Sequence, residues 1–396
     1  MPIRHRFDSR KTLSALAAVT AVGLGGGGAL LLTRGHPVTA AAAGYHRQVI
    51  AATPAPTFSY RLPDKAAPNE MGRIPVLMYH SVGDPPLTGR LARFSHLGLS
   101  IPASLLRKHL EMLYASGFYP VNLRDILSPT IDIPLGRTPV VLTFDDARAS
   151  QFRYHRDGSI DPNCAIGVLA AFHKLHPDWP ERATFFILPE SRYNPAPFGQ
   201  HGREKQKFEY LFDHGYELAN HSTTHHPMAR MDAKMLVWEM ATCARFIHHL
   251  VPDAPVDTMA LPYGIRPAKA LLPVLLGDGS NGYKNRCIAL AAGDASYAPG
   301  DKRFNKLGVM RIGSEPGNIE RWIKVLKAAR VAVTRNGIRA YVSDGDPVLL
   351  SAPKSLTKYI NRTSLGTMKL ALYADPTKPL PKHSISAKSS RVARKG

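Results

Sequence analysis

Cysteine is scarce in this chain: Cys164, Cys243 and Cys287 are the only three in 396 residues. None stands in C-x-x-C spacing and an odd number cannot all pair with one another, which excludes a zinc knuckle and a disulfide framework. Acids are scarce too, with 30 Asp and Glu against 51 Lys and Arg and a formal net charge of +21. Part of the excess lies near the end, where Lys378, Lys382, Lys388, Arg391, Arg394 and Lys395 meet almost no carboxylates. Such a stretch suits an anionic envelope polymer or lipid headgroups, or serves only to solvate the chain end. Recognisable nucleic-acid reader motifs are absent, so no nucleic-acid role is expected.

One long apolar, Gly-rich run is present, from Thr12 to Thr33, and Arg4, Arg6, Arg10 and Lys11 precede it. Positive charge on the leading side keeps that end in the cytoplasm and exports the rest of the chain to a periplasmic or extracellular location. The run is long enough for an uncleaved anchor in the membrane. Gly23 to Gly28 weaken a spanning helix, however, and the small residues from Val38 to Gly44 suit a signal peptidase, so anchor and cleaved signal both stay open. The expected organisation is a signal or anchor over residues 1–36, an Ala/Pro-rich linker over 37–72, a catalytic domain over 73–350 and a basic, flexible tail over 351–396. A hydrophobic content of 44% can build the core of the third part.

Within that part, strand and helix signals alternate, which predicts an α/β fold with a parallel sheet. The apolar runs 75–79, 140–144, 183–188, 216–219, 257–261, 288–292 and 309–312 read as strands. Leu106, Leu110 and Leu113 fall at helical spacing, as do Leu236, Met240, Cys243 and Ile247, and again Ile319, Trp322, Ile323 and Leu326; these are core-packing faces.

At the end of the second strand two carboxylates, Asp145 and Asp146, stand side by side, where α/β folds place their chemistry. Two adjacent anions need a cation. His221 and His225 follow another strand-like run, and on one helical turn their spacing puts both imidazoles on the same side, able to bind one metal. Taken singly, the Asp pair is a loop start or helix cap and the His pair is two exposed side chains. In conjunction, one Asp and two His make a three-ligand set that leaves room for water and substrate. Asp344 and Asp346, in an acidic turn, are explained by turn chemistry and lie outside this set.

A third segment, Leu261-Pro262-Tyr263-Gly264, runs from a strand into a tight turn. Together, Thr143-Phe144-Asp145-Asp146, His221-Ser222-Thr223-Thr224-His225 and Leu261-Pro262-Tyr263-Gly264 resemble the ordered motifs of the polysaccharide deacetylase family, carbohydrate esterase family four. Pro75-Val76-Leu77-Met78-Tyr79-His80 is similar to the opening strand of one branch. The resemblance spans roughly residues 73–312 and implies a distorted (β/α)7 barrel. It implies that Asp145 is the general base, that Asp146, His221 and His225 hold one divalent ion, and that the Tyr263 N–H serves the oxyanion site. Zinc is the default on ligand type, and cobalt, nickel or iron also suit the set.

The chain departs from the family pattern in three places. Ala260 stands where many relatives carry an arginine that orients the base, which leaves Arg266 as the expected substitute. Ala147 stands where glycine is usual. The late Leu-x-His motif that supplies the acid has no copy, and His80 is expected in that role. The implied function is removal of N-acetyl groups from an N-acetylhexosamine polysaccharide of the envelope or extracellular matrix. An O-acetyl esterase, a small-amide hydrolase and a non-catalytic carbohydrate binder are the alternatives. The segments Ser150–Gly158 and Ser191–Gln206 are candidate walls of a glycan groove.

Overall fold

Strand residues in this chain alternate between two interiors, and that alternation builds the fold. The computed structural model describes residues 66–83, 98–189, 196–291 and 293–374, all within one compact unit spanning Tyr60–Gly396. The N-terminal segment, most of the Ala/Pro-rich linker and residues 375–396 of the basic tail lie outside the described residues. Among the described residues no helix is long and apolar enough to cross a membrane.

In chain order the elements are β1 (Val76–Tyr79), β2 (Ser81–Val82), β3 (Ser100–Ile101), α1 (Ala103–Ala115), β4 (Phe118–Val121), β5 (Thr138–Phe144), α2 (Ala165–Leu175), β6 (Thr184–Ile187), α3 (Glu204–Asp213) and β7 (Glu217–Asn220). They continue with α4 (Ala233–Leu250), β8 (Thr258–Ala260), α5 (Leu272–Leu276), β9 (Cys287–Ala289), β10 (Ile312–Gly313), α6 (Asn318–Val331), β11 (Leu349–Pro353), α7 (Arg362–Leu365) and β12 (Lys369–Tyr373). An eight-stranded parallel sheet runs β10-β1-β5-β6-β7-β8-β9, with β4 paired to the first half of β5. The sheet curls until its ends meet in one segment: Val309 bridges Ala289 in parallel, and Ile312 pairs with Leu77 of β1. This is the distorted seven-stranded α/β barrel that the alternation and the resemblance predict.

Successive strand side chains point to opposite faces. Leu77, Tyr79, Leu142, Phe144, Phe185, Ile187, Leu218, Met259 and Ile288 face outward and join the buried faces of α1, α2, α4 and α6 in one core. Val76, Val141, Phe186, Ala219, Ala260, Ala289 and Val309 face inward and fill the barrel. The inward face continues past the strand ends, so His80 follows Val76, Asp145 follows Val141, His221 follows Ala219 and Arg311 follows Val309. Period-two geometry thus brings four polar side chains to one mouth.

Three differences from expectation have physical reasons. β4 carries Pro120, which cannot donate to a ladder, yet it is tolerated because the strand covers only half of β5. The boundary expected at 350 falls inside β11, which pairs in parallel with β12 around Met71, Leu350, Ala352, Ile360 and Leu365. Ordered chain also precedes residue 73, because Asn69 N–H donates to Val342 O at 2.7 Å and Glu70 N–H to Ser351 O at 2.8 Å.

Candidate active site

β5 ends at Phe144, and Asp145 keeps the extended path, its N–H donating to Tyr79 O at 2.9 Å. The next two residues leave it: Asp146 has φ +76° and Ala147 φ +45°. That left-handed turn brings the Asp146 carboxylate back beside Asp145 and explains why glycine suits position 147. The turn is braced from outside, since Phe198, also left-handed at φ +59°, donates its N–H to Ala147 O at 2.6 Å. The buried Lys207 donates to Phe198 O at 2.8 Å, and burial pushes its ammonium down to about 8. Gln151 ties the two strand ends together, donating from Nε2 to Asp145 O at 2.6 Å and to His80 O at 2.8 Å.

The His221–His225 segment is not a helical turn, as its spacing led us to expect, but a loop in which Ser222 (φ +66°) and His225 (φ +60°) are left-handed. Polar anchors replace the helix. Asn220 Oδ1 accepts from Ser222 N–H at 2.8 Å, and its Nδ2 donates to Met240 O at 2.9 Å. Glu239 of α4 accepts from Thr223 N–H at 2.7 Å and Thr224 N–H at 2.9 Å. His221 Nδ1 donates to Ala260 O at 3.0 Å, which fixes the tautomer and points Nε2 into the mouth.

Asp146 Oδ1 lies 3.4 Å from His221 Nε2 and 3.4 Å from His225 Nε2, and one ligand atom from each residue falls within 4.8 Å of the others. A tetrahedral ion with bonds near 2.0–2.1 Å holds its ligands about 3.3 Å apart, so the donor set fits a divalent metal. Asp146 Oδ2 is occupied by Arg148, which donates from Nε at 3.0 Å and Nη2 at 2.7 Å. Burial alone would raise the Asp146 carboxyl, but the hydrogen bond and charge of His221 and the charges of His80 and Arg148 hold it well below the usual range. Burial and the charge of His221 push His225 down to about 4, whereas Asp146 and Asp145 outweigh burial at His221 and raise it. A site that presses carboxylates to ionise and one imidazole to lose its proton is built for a cation.

Asp145 is separate from that cluster. Arg311 grips both of its oxygens, Nη1 to Oδ1 at 2.6 Å and Nη2 to Oδ2 at 2.8 Å, and donates also to Thr143 Oγ1 and Leu290 O. Burial would raise this carboxyl; Arg311, with His221 and His80, brings it below its ordinary value. Arg266, the expected holder, instead reaches Leu307 O on the surface. The inward-facing alanines 219, 260 and 289 are short side chains of the barrel interior, and the Arg311 guanidinium lies over the Phe186 ring in that interior, 5.2 Å from its centroid. Sequence reasoning missed Arg311, although a lone cation inside the apolar run 309–312 was its signal.

His80 Nε2 stands 3.9 Å from Asp145 Oδ2, and burial lowers its pKa more than Asp145 raises it. Tyr263 is left-handed at φ +58° on a short 3-10 turn that starts at Pro262, which has no N–H, so the Tyr263 N–H is the first donor of the turn. Its ring, 62% exposed, packs edge-on against His225 at 4.6 Å. All six predicted residues therefore converge on the barrel mouth. In the segment Ser150–Gly158, Phe152 and Tyr154 are buried in the outer core and so cannot wall a groove.

The polysaccharide deacetylase family model matches residues 132–274. No curated protein matches the chain significantly in sequence. Among solved structures, a Streptococcus pyogenes deacetylase in complex with acetate is similar at 16% identity and TM-score 0.47, over 64% of this chain and 98% of its own. A Bacillus cereus polysaccharide deacetylase is similar at 14% identity and TM-score 0.47, over 64% and 69%. A de-N-acetylase from Aggregatibacter actinomycetemcomitans is similar at 18% identity and TM-score 0.43, over 63% and 99%.

Proposed function

We propose that this chain, whose residues 132–274 match the polysaccharide deacetylase family model, removes N-acetyl groups from an N-acetylhexosamine polysaccharide with the help of a divalent ion, zinc by ligand type. One observation carries the reading: a buried carboxylate, Asp145, is held ionised by Arg311 right beside, but outside, a three-ligand cluster. A binding protein needs no such division of labour.

Asp146, His221 and His225 would hold the ion, which when bound would supply Lewis acidity to the acetyl carbonyl and lower the pKa of water toward about 7. Arg311 fixes Asp145 so that its carboxylate takes a proton from the attacking water. The Tyr263 N–H faces the charge that develops on the carbonyl oxygen. As the C–N bond breaks, the proton that Asp145 took from the water passes by way of His80, 3.9 Å from Asp145, to the leaving amine. Acetate and a free amino sugar result. Export and an envelope location of the substrate belong to this proposal and rest on the basic and apolar residues that open the chain.

Acetate release from N-acetylglucosamine oligomers, measured with metal-stripped protein and after metal is returned, tests the reading. Activity that tracks metal content supports it. Release from O-acetylated xylan alone would make the protein an esterase, and no release from either would leave a binder.

A further inference from the structure

The register of the sheet makes His80 and Asp145 partners. β1 and β5 pair in parallel with Tyr79 opposite Phe144, so the next facing pair is His80, the proton carrier, and Asp145, the base. A parallel ladder would close this pair with two hydrogen bonds, Asp145 N–H to Tyr79 O and Ser81 N–H to Asp145 O. The first is made, at 2.9 Å, but Ser81 begins β2 and donates its N–H to Leu99 O at 3.1 Å instead. The N–H and C=O of one trans peptide point in opposite directions. With its N–H turned to Leu99, the peptide between His80 and Ser81 presents its C=O to the same gap as Asp145 O, and two carbonyls would face each other there unbridged. Gln151 bridges them, donating from Nε2 to Asp145 O at 2.6 Å and to His80 O at 2.8 Å. Gln151 is itself fixed: it is fully buried, its N–H donates to Arg148 O at 2.9 Å and its carbonyl accepts from Ile166 N–H of α2 at 2.9 Å. Because both partners are acceptors, the nitrogen of the amide must point at them. Its oxygen is left buried with no hydrogen-bond partner among the described residues, a cost in stability of the kind that functional sites carry.

We infer that Gln151 is a positioning residue, which sets the gap between Asp145 and His80 across which the proton of the attacking water travels to the leaving amine. The inference rests on the deacetylase reading and extends it to a residue outside the ordered motifs. Carboxylate and imidazole stand 3.9 Å apart, and the two hydrogens of one amide hold together the main chains that carry them. The base has other holders, since Arg311 grips both of its oxygens and its N–H donates to Tyr79 O. The His80 main chain has left the ladder, and the amide of Gln151 is what ties its carbonyl to β5. Loss of that amide therefore falls on the proton carrier more than on the base.

Two substrates separate this role from general damage to the fold. Acetate release from N-acetylglucosamine oligomers needs a proton at the departing amine, whereas p-nitrophenyl acetate expels a phenolate that needs none. In the full-length, metal-loaded protein, Gln151→Met should lower kcat for the oligomer about 10–100-fold and for the ester only about twofold, with KM and metal content kept. Gln151→Glu, which has the same shape and when protonated donates to one carbonyl, should fall between the two; it carries the test where Gln151→Met does not fold. Added to His80→Ala, either substitution should cost the oligomer no more than about twofold further, because the carrier that it positions is gone. Equal losses on the two substrates, or a full second loss in the double variant, would overturn the positioning role and leave the deacetylase reading standing. No acetate from the oligomer with the unaltered protein would sink the deacetylase reading, and this role with it.

Discussion

The two ends of the barrel both bury carboxylates, and they treat them in opposite ways. At the end where the strands begin, Glu217 accepts from Thr184 Oγ1 at 2.8 Å, Thr258 Oγ1 at 2.5 Å and Arg124 N–H at 3.1 Å, and burial still raises its pKa. Nearby, Glu70 accepts from Tyr341 OH at 2.9 Å and Ser351 N–H at 3.1 Å, and burial beside Asp344 pushes it up to about 8. At the mouth, cations outweigh burial, and Asp145 and Asp146 are held below their ordinary values. Backbone strain divides the same way: Asp146, Ala147, Ser222, His225 and Tyr263 all have positive φ and all lie at the mouth. Burial raises the carboxyls at one end, and at the other cations lower them and left-handed turns gather where chemistry needs them.

The largest effect expected from this contrast is on turnover. Asp145→Asn should lower acetate release by about 10²–10⁴-fold, the usual contribution of a general base, while metal content stays constant. Glu217→Gln, an equally buried carboxylate at the other end, should leave turnover as it is. Equal losses in the two variants would mean that the carboxylates differ only in their structural roles. Loss of metal in Asp145→Asn would mean that the base and the ligand had been interchanged.

Arg311 comes next. Arg311→Met leaves a buried carboxylate without its cation and should cost about 3–5 kcal/mol in chemical denaturation, with activity falling as well. Adding Ala260→Arg to that variant supplies a guanidinium from another inward position, on β8, and should recover part of both. In the unaltered protein, Ala260→Arg should only overfill the barrel and destabilise it. If the double variant is no better than Arg311→Met, a guanidinium on β8 does not reach Asp145.

Most of this architecture was legible in the residues, because apolar runs of strand length ended on Asp145, His221 and Tyr263 and helical stripes separated them. The convergence of Asp145, His80 and His221 follows from period-two geometry alone. Legibility failed where one position depends on another far away in sequence. Nothing local says that Arg311, and not Arg266, reaches Asp145, because the pairing depends on barrel closure through Val309 and Ile312. The His-x-x-x-His spacing fits a helix as well as a loop, and only the anchors Asn220 and Glu239 decide between them. β11 and β12 are hard to see in the residues because Lys354, Lys358, Arg362 and Lys369 break up the apolar positions, although Leu350, Ala352 and Ile360 form a small core of their own.

The contrast extends to pH. Glu70 has a folded pKa of about 8 against 4.5 for the free side chain, so between those values the folded state keeps a proton that the unfolded chain has released. The contribution is fully present below pH 4.5 and is lost as pH rises through 8. Thermal scans from pH 5 to 8 should therefore show Tm declining by a component that Glu70→Gln removes. An unchanged slope in that variant would mean that Glu70 ionises normally and that the closed end is no more neutral than the mouth.

The smallest effect tests strain directly. Ala219, extended and inward-facing on β7, and Ala147, left-handed after the Asp pair, are both fully buried. Replacement by glycine removes one methyl group and adds backbone entropy to the unfolded chain in each case, together about 1–2 kcal/mol. At Ala147 the substitution also releases a left-handed alanine, worth about 1–2 kcal/mol in the opposite direction. Denaturant midpoints should thus drop for Ala219→Gly and stay nearly constant for Ala147→Gly. The difference between the two variants measures what the mouth stores and the barrel wall does not; equal drops would mean that the turn carrying Asp146 is relaxed.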